Sequence, residues 1–176
     1  QELGLRGEVN FPAFEQALKG FSRYASGQDR LLVLIDYTKP STEKRFYILD
    51  LLQKKLLLST YVAHGRGSGD NYAVAFSNRP GSYQSSLGFF RTGDTYMGKN
   101  GYSLFLDGLE KGINDKARER AIVVHGANYA DPAVLKGQQR LGRSLGCPAL
   151  PPDISKQVID TIKGGVLLYI YGLNKA

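Results

Sequence analysis

Short apolar runs separated by glycine- and serine-rich breaks are what most restrict the fold open to this chain. The runs "LLVLIDY" (31–37), "RFYILDL" (45–51) and "LLLSTYVAHG" (56–65) are too short for most helices and rich in β-branched and aromatic side chains, as buried strands are. The last two flank "LQKK" and read as a hairpin. Further short strands are predicted at 88–96, 102–106, 121–125 and 166–171, and residues 65–88 lack any period and read as a long loop. Only two stretches carry helical spacing. In "NFPAFEQALKGFSRY" (10–24), Asn10 is a candidate N-cap, Pro12 lies in the first turn, and Phe14, Leu18 and Phe21 recur along one side, with Gly20 the discordant residue. In "PPDISKQVIDTIKGG" (151–165), prolines open the helix, Ile154, Val158, Ile159 and Ile162 share a face, and a glycine pair closes it. The fold class expected is mainly β, a sandwich or barrel-like domain with an N-terminal and a C-terminal helix.

A chain of 176 residues suits one domain. The expected division is a helical appendage over 1–27 and a core over 28–176. A formal charge of +7 favours an anionic partner, whether nucleic acid, acidic membrane or acidic wall polymer. The basic residues form no block and no nucleic-acid motif, so nucleic acid is not expected as the partner. No run approaches the ~18 apolar residues of a membrane span, so no integral membrane segment is expected.

The chain's single cysteine has no partner for an intramolecular disulfide. Cys147 sits in "SLGCP", where Gly146 permits a tight turn and Pro148 stops any regular element. His125 ends the strand-like "AIVVH" and is followed by Gly126. A free cysteine is often just a small buried hydrophobe. Beside a neutral imidazole, however, a thiol with an ordinary pKa of about 8.5 can lose its proton and act as a nucleophile. A zinc site built from His64, His125, Cys147 and one of Asp36, Asp70, Asp94 or Asp131 is an alternative, but the spacing fits no short zinc motif, and no metal or cofactor is expected. A papain-like protease is set aside, because there the cysteine precedes the histidine.

A His-Gly closing a strand, followed after a loop by Ser-x-Gly-Cys, resembles the signature of the murein L,D-transpeptidase catalytic domain family, cysteine enzymes that remodel peptidoglycan. Here the elements are His125-Gly126 and Ser144-Leu145-Gly146-Cys147. "SSLGFF" (85–90) is similar to the family's Thr-Pro-x-Gly-x-Phe segment, and "STYVAHG" (59–65) lies where the family has a strand and substrate loop. Leu145 replaces the family's usual histidine, Pro148 and Ala149 follow the cysteine, and Ser86 replaces a proline. The resemblance implies acyl transfer on peptidoglycan stem peptides. Cys147 attacks the carbonyl between an L-centre and a D-residue, His125 moves the proton, and the Gly126 carbonyl orients the imidazole. Backbone N–H groups of Leu145, Gly146 and Cys147 would hold the oxyanion. The thioester then passes to an amine or to water, and carbapenems would acylate the same sulfur. L,D-carboxypeptidase activity alone, or a non-catalytic wall-binding module, are the alternatives. His64, Gly65, Ser144, Arg143 and Tyr129 are expected around the substrate; the alternative for His64 is that it finishes a strand and bonds locally. Arg66 and Arg79 are further carboxylate-binding candidates, and Tyr83 and Tyr102 are further lining candidates. The resemblance also implies a monomer acting outside the cytoplasm, in the periplasm or cell envelope, with any signal peptide removed or outside this sequence.

Overall fold

The run 31–36 is apolar throughout because β1 (Leu31–Asp36) is covered on both faces. In the computed structural model, which describes residues 8–25 and 29–175, Val33 and Ile35 enter one core while Leu32 and Leu34 enter another. The strands β2 (Phe46–Asp50) and β8 (Leu167–Tyr171) flank β1 and divide in the same way. Phe46, Ile48, Leu168 and Ile170 join the first core, and Tyr47, Leu49 and Leu167 the second. Successive strand side chains point to opposite faces, so a doubly covered strand needs apolar residues at both parities.

The helix α1 (Phe11–Tyr24) covers the second face with Ala13, Phe14 and Ala17. Residues 1–7 and 26–27 of the expected appendage lie outside the described residues. Asn10 occupies the N-cap position without a side-chain cap bond, although its carbonyl accepts the Phe14 N–H at 3.0 Å. Leu18, expected on the apolar face, stands outward. Gly20 is buried instead, because the helix crosses the sheet there and a Cβ would fall inside the Phe89 ring. Phe89 is stacked on Tyr169 with centroids 4.2 Å apart and cannot easily swing aside. Gly20→Ala would gain about 1 kcal/mol of helix propensity but incur an overpacking cost of about 1–3 kcal/mol. A net fall in the urea midpoint is expected, and a rise would show that the ring moves freely.

The remaining strands are β3 (Lys55–Thr60), β4 (Gly88–Gly98), β5 (Gly101–Gly108), β6 (Val123–Gly126) and β7 (Ala149–Leu150). The sheet runs β3-β2-β1-β8-β4-β5-β6-β7. It nearly closes on itself, because the chain beyond β3 meets β7: the Ala63 N–H donates to the Ala149 carbonyl at 2.8 Å and the Ala149 N–H to the Ala63 carbonyl at 3.2 Å. The architecture is mainly β and barrel-like. The second long helix, α2 (Pro152–Ile162), lays Val158, Ile159 and Ile162 into the first core. β6 begins at Val123, later than the sequence suggests, because Ala121 turns the chain with a φ of 57°.

Candidate active site

The pairing of the last two sheet strands brings the chain segments that carry Cys147 and His125 together. β6 runs parallel to β7 with His125 opposite Ala149, and the His125 N–H faces the carbonyl of Pro148, the residue after Cys147, at 3.4 Å. Buried Pro148 blocks continuation of β7 toward its N-terminus. The Ser144–Cys147 turn is closed from within: the Ser144 hydroxyl donates to the Cys147 carbonyl at 2.6 Å and accepts the Gly146 N–H at 3.1 Å. Gly146 has a φ of 128°, and a Cβ would sit 3.1 Å from both the Gln84 carbonyl oxygen and Ile122 Cδ1, so only glycine fits without strain.

His125 Nδ1 lies 2.9 Å from the Gly126 carbonyl, which can only accept. That contact places the proton on Nδ1 and leaves the Nε2 lone pair as the ring's base. Burial lowers the His125 pKa below its ordinary value, partly offset by the Gly126 carbonyl. The ring is therefore neutral at pH 7. Gly126 is needed for its size as well, since a Cβ would strike Ser155 Oγ on α2.

Burial pushes the Cys147 thiol up, while the Val123 N–H and the charges of Arg120 and Lys99 pull it down. The sulfur accepts the Val123 N–H at 3.4 Å and its proton points to the Ala121 carbonyl at 3.4 Å. In this resting arrangement the thiol is bonded to the strand that bears His125, and not to the imidazole.

Of the three oxyanion donors expected, Gly146 is corrected: its N–H is already donated to Ser144. Among the described residues the Leu145 and Cys147 N–H groups have no hydrogen-bond acceptor. Leu145 itself is 53% exposed, so a leucine at that position costs the core nothing. Ser144 is a buried turn-former, its N–H bonded to the His64 carbonyl at 2.9 Å.

His64 is also corrected. It is 1% exposed, with Nδ1 2.9 Å from the Arg45 guanidinium and Nε2 2.9 Å from the Asp70 carbonyl. Both ring nitrogens are committed to protein groups. Burial, with Arg45 nearby, lowers its pKa to about 3. The local-bonding alternative describes it. Gly65 is buried too, with its N–H on Ser85 Oγ at 2.9 Å and its Cα face so close to Gly146 that a Cβ would come 2.8 Å from the Gly146 Cα. It backs the Ser144–Cys147 turn.

Tyr129 is half-buried near the thiol, and burial pushes its phenol up to about 12. Arg143 is partly buried and reaches the Gly69 carbonyl at 3.3 Å. Arg66 stacks over Tyr83 at 4.5 Å, both exposed, and Arg79 is exposed as well. Tyr102 donates to Asp160 at 2.6 Å and lines a cleft of about 350 Å³ beside Gly126, together with Lys99, Asn128, Pro152 and Ser155. The zinc alternative is not assembled: among the described residues no three His, Cys, Asp or Glu side chains gather to hold a metal ion. No helix among the described residues is long and apolar enough to cross a membrane.

With this geometry in hand, the sequence matches the L,D-transpeptidase catalytic domain over residues 5–171. The chain belongs to that family. The match takes in α1, so the helix that packs on the sheet is part of what this L,D-transpeptidase domain shares with its relatives. Among solved structures, the helical cell shape determining protein Pgp2 from Campylobacter jejuni is similar, with a TM-score of 0.55 at 15% identity over 84% of this chain and 50% of that one. An L,D-transpeptidase from Stackebrandtia nassauensis gives 0.49 at 14% identity over 97% and 69% of the two chains. L,D-transpeptidase 1 of Mycobacterium tuberculosis gives 0.46 at 14% identity over 82% and 62%. The likeness to Pgp2 is one of fold. This L,D-transpeptidase domain spans from 50% to 69% of the length of these three chains. No curated protein matches it.

Three residues that brace this region carry no signal in the sequence: Arg120, Ala121 and Arg45. Each gains its role only from contacts distant along the chain.

Proposed function

We propose that the protein is a cysteine acyltransferase acting on peptidoglycan stem peptides. What supports this reading is the β6–β7 register, with His125 opposite Ala149 and its N–H facing the carbonyl of Pro148, the residue after Cys147, together with the bond of His125 Nδ1 to the Gly126 carbonyl. In the reaction, the Cys147 sulfur attacks the carbonyl between an L-centre and a D-residue while Nε2 of His125 takes the thiol proton. The Leu145 and Cys147 N–H groups hold the oxyanion, and loss of one such donor typically costs about 3 kcal/mol. His125 then protonates the leaving amine, and the C–N bond breaks to give a thioester and a free D-amino acid. An incoming amine gives a crosslink or an exchanged product; water gives L,D-carboxypeptidase activity. The cleft beside Gly126 offers amide and hydroxyl partners for a peptide backbone. Tyr129 and Arg143 sit near enough to the turn to contact the stem. The protein acts as a monomer in the cell envelope, outside the cytoplasm, where this substrate lies.

Intact-protein mass spectrometry after incubation with a tetrapeptide muropeptide, and separately with a carbapenem, tests the reading. A covalent adduct mapped to Cys147 is expected, and the released products name the acceptor. Binding with no adduct and no released D-amino acid would leave a wall-binding module instead. The pH dependence provides a second test. His125 serves only when unprotonated, and burial lowers its pKa, so the acid limb of the acylation rate is expected to have its midpoint below the ordinary histidine value of about 6.5. A midpoint above 6.5 would contradict the buried, neutral imidazole.

A further inference from the structure

Arg120 spends its hydrogen bonds on one part of the protein and leaves its charge to another. Its Nη1 donates to the Ser77 carbonyl at 2.9 Å and Ser86 Oγ at 2.8 Å, and its Nη2 to Ser82 Oγ at 3.2 Å and the Gln84 carbonyl at 2.8 Å. These contacts pin the 77–86 loop, and all four acceptors are neutral. Among the described residues no carboxylate pairs with Arg120. With four of the five guanidinium N–H bonds occupied, the side chain cannot grip a carboxylate as a fork. The positive charge itself is uncompensated.

That charge lies beside the thiol. Arg120 immediately precedes Ala121, whose carbonyl meets Sγ at 3.4 Å. Its Nη2 would be 3.5 Å from a Cβ on Gly146, the residue before Cys147. The other groups facing the sulfur do not supply a fixed charge. Lys99 is exposed on the β4–β5 turn and screened by solvent. Tyr37 and Tyr129 are pushed up to about 12 by burial, and His125 is neutral.

We propose that Arg120 is a positioning residue that holds a fixed, unpaired positive charge beside Cys147 and so favours the thiolate in a site whose burial disfavours it. This rests on the reading of Cys147 as the nucleophile. A fixed positive charge nearby favours the charged form of an acid, and, against burial, the charge of Arg120 is one of the influences that pull the Cys147 thiol down.

The test is the pH dependence of iodoacetamide alkylation of Cys147 in the full chain, in which the thiolate displaces iodide to form a thioether. Arg120→Gln is expected to move the midpoint up by about one pH unit, and so to slow alkylation about tenfold at neutral pH. Arg120→Lys keeps the charge and loses the fork; its midpoint is expected within about 0.3 units of wild type even where its melting temperature falls. If Arg120→Gln does not fold, replacement of Arg120 by citrulline removes the charge and keeps the shape, with the same expected shift. An unchanged midpoint in a folded neutral variant, or an equal shift in Arg120→Lys, would reduce Arg120 to a loop scaffold and overturn the proposal. Alkylation needs no stem peptide, so the two readings fail separately. A shifted midpoint without muropeptide adducts sinks the acyltransferase, whereas adducts without a shift sink only the role of Arg120.

Discussion

Cys147→Ala is expected to form no adduct with a stem tetrapeptide or a carbapenem and to release no D-amino acid, a loss of at least about a thousandfold. In the proposed reaction every covalent step passes through this sulfur, and the chain has no other cysteine to replace it. Among the described residues the thiol makes two long hydrogen bonds, with the Val123 N–H and the Ala121 carbonyl, both at 3.4 Å, and packs only partly buried against the first core. Its removal should therefore lower the melting temperature by only a few degrees, the effect of about 1 kcal/mol in a domain of this size. Cys147→Ser is expected to be nearly as inactive, because a neutral imidazole removes a proton far less readily from a hydroxyl than from a thiol. Turnover above a few per cent of wild type in Cys147→Ala would mean that another group is the nucleophile.

The strands at the centre of the sheet are legible in the sequence because burial on both faces writes itself as an unbroken apolar run. β1 and β8 are of this kind. The helices are legible from their spacing, and the structure explains the one discordant residue in α1: Gly20 is where the helix must pass closest to Phe89. β7 is not legible. It has two residues, and its order comes from pairing with β6 and with Ala63, not from any propensity of its own. Yet this short strand fixes the register on which the site depends.

Cys147 and His125 stand out in the sequence because the residue types are rare and their glycine neighbours are unusual. The His125 partner, the Gly126 carbonyl, is also readable, through the family resemblance. His64 misleads because a histidine before a glycine-rich loop looks the same whether its ring faces a cleft or an arginine. Ser144 reads as a motif and substrate residue, Ser85 as the start of a family-like segment and Ser68 as part of an aperiodic loop, but in the fold all three are braces: Ser144 Oγ accepts the Gly146 N–H, Ser85 Oγ the Gly65 N–H, and Ser68 Oγ the Ser85 N–H. Their hydroxyls satisfy backbone groups that would otherwise be buried without partners.

The second large effect concerns stability. Arg45 is fully buried, with Nε and Nη2 on the Val62 carbonyl at 3.0 and 2.6 Å, Nη1 on the Lys39 carbonyl at 3.0 Å, and Nη2 also on His64 Nδ1 at 2.9 Å. Its guanidinium lies over the Tyr37 ring at 4.7 Å. Burial lowers its pKa to about 10, still well above neutral, so the cation persists. It is the post to which three connections are tied: the loop before β2, the chain after β3, and His64. Arg45→Met fills much of the volume but leaves two carbonyls and a ring nitrogen without donors, each costing about 1–3 kcal/mol. It also strips the buried Asp36, whose Oδ2 has no hydrogen bond among the described residues, of a cation that interacts with it electrostatically. Relief from desolvating the cation offsets part of this. A net loss of about 3–5 kcal/mol is expected in urea unfolding, a large share of the 5–15 kcal/mol of a typical domain. A loss under about 1 kcal/mol would show that the three connections hold without it. The same cluster sets the response to acid. His64 has a folded pKa of about 3 against about 6.5 unfolded, so the unfolded chain binds the extra proton, and stability present above pH 6.5 drains away as pH falls toward 3. His64→Gln retains an acceptor for Arg45 and a donor for Asp70 without a titrating group, and is expected to flatten that decline.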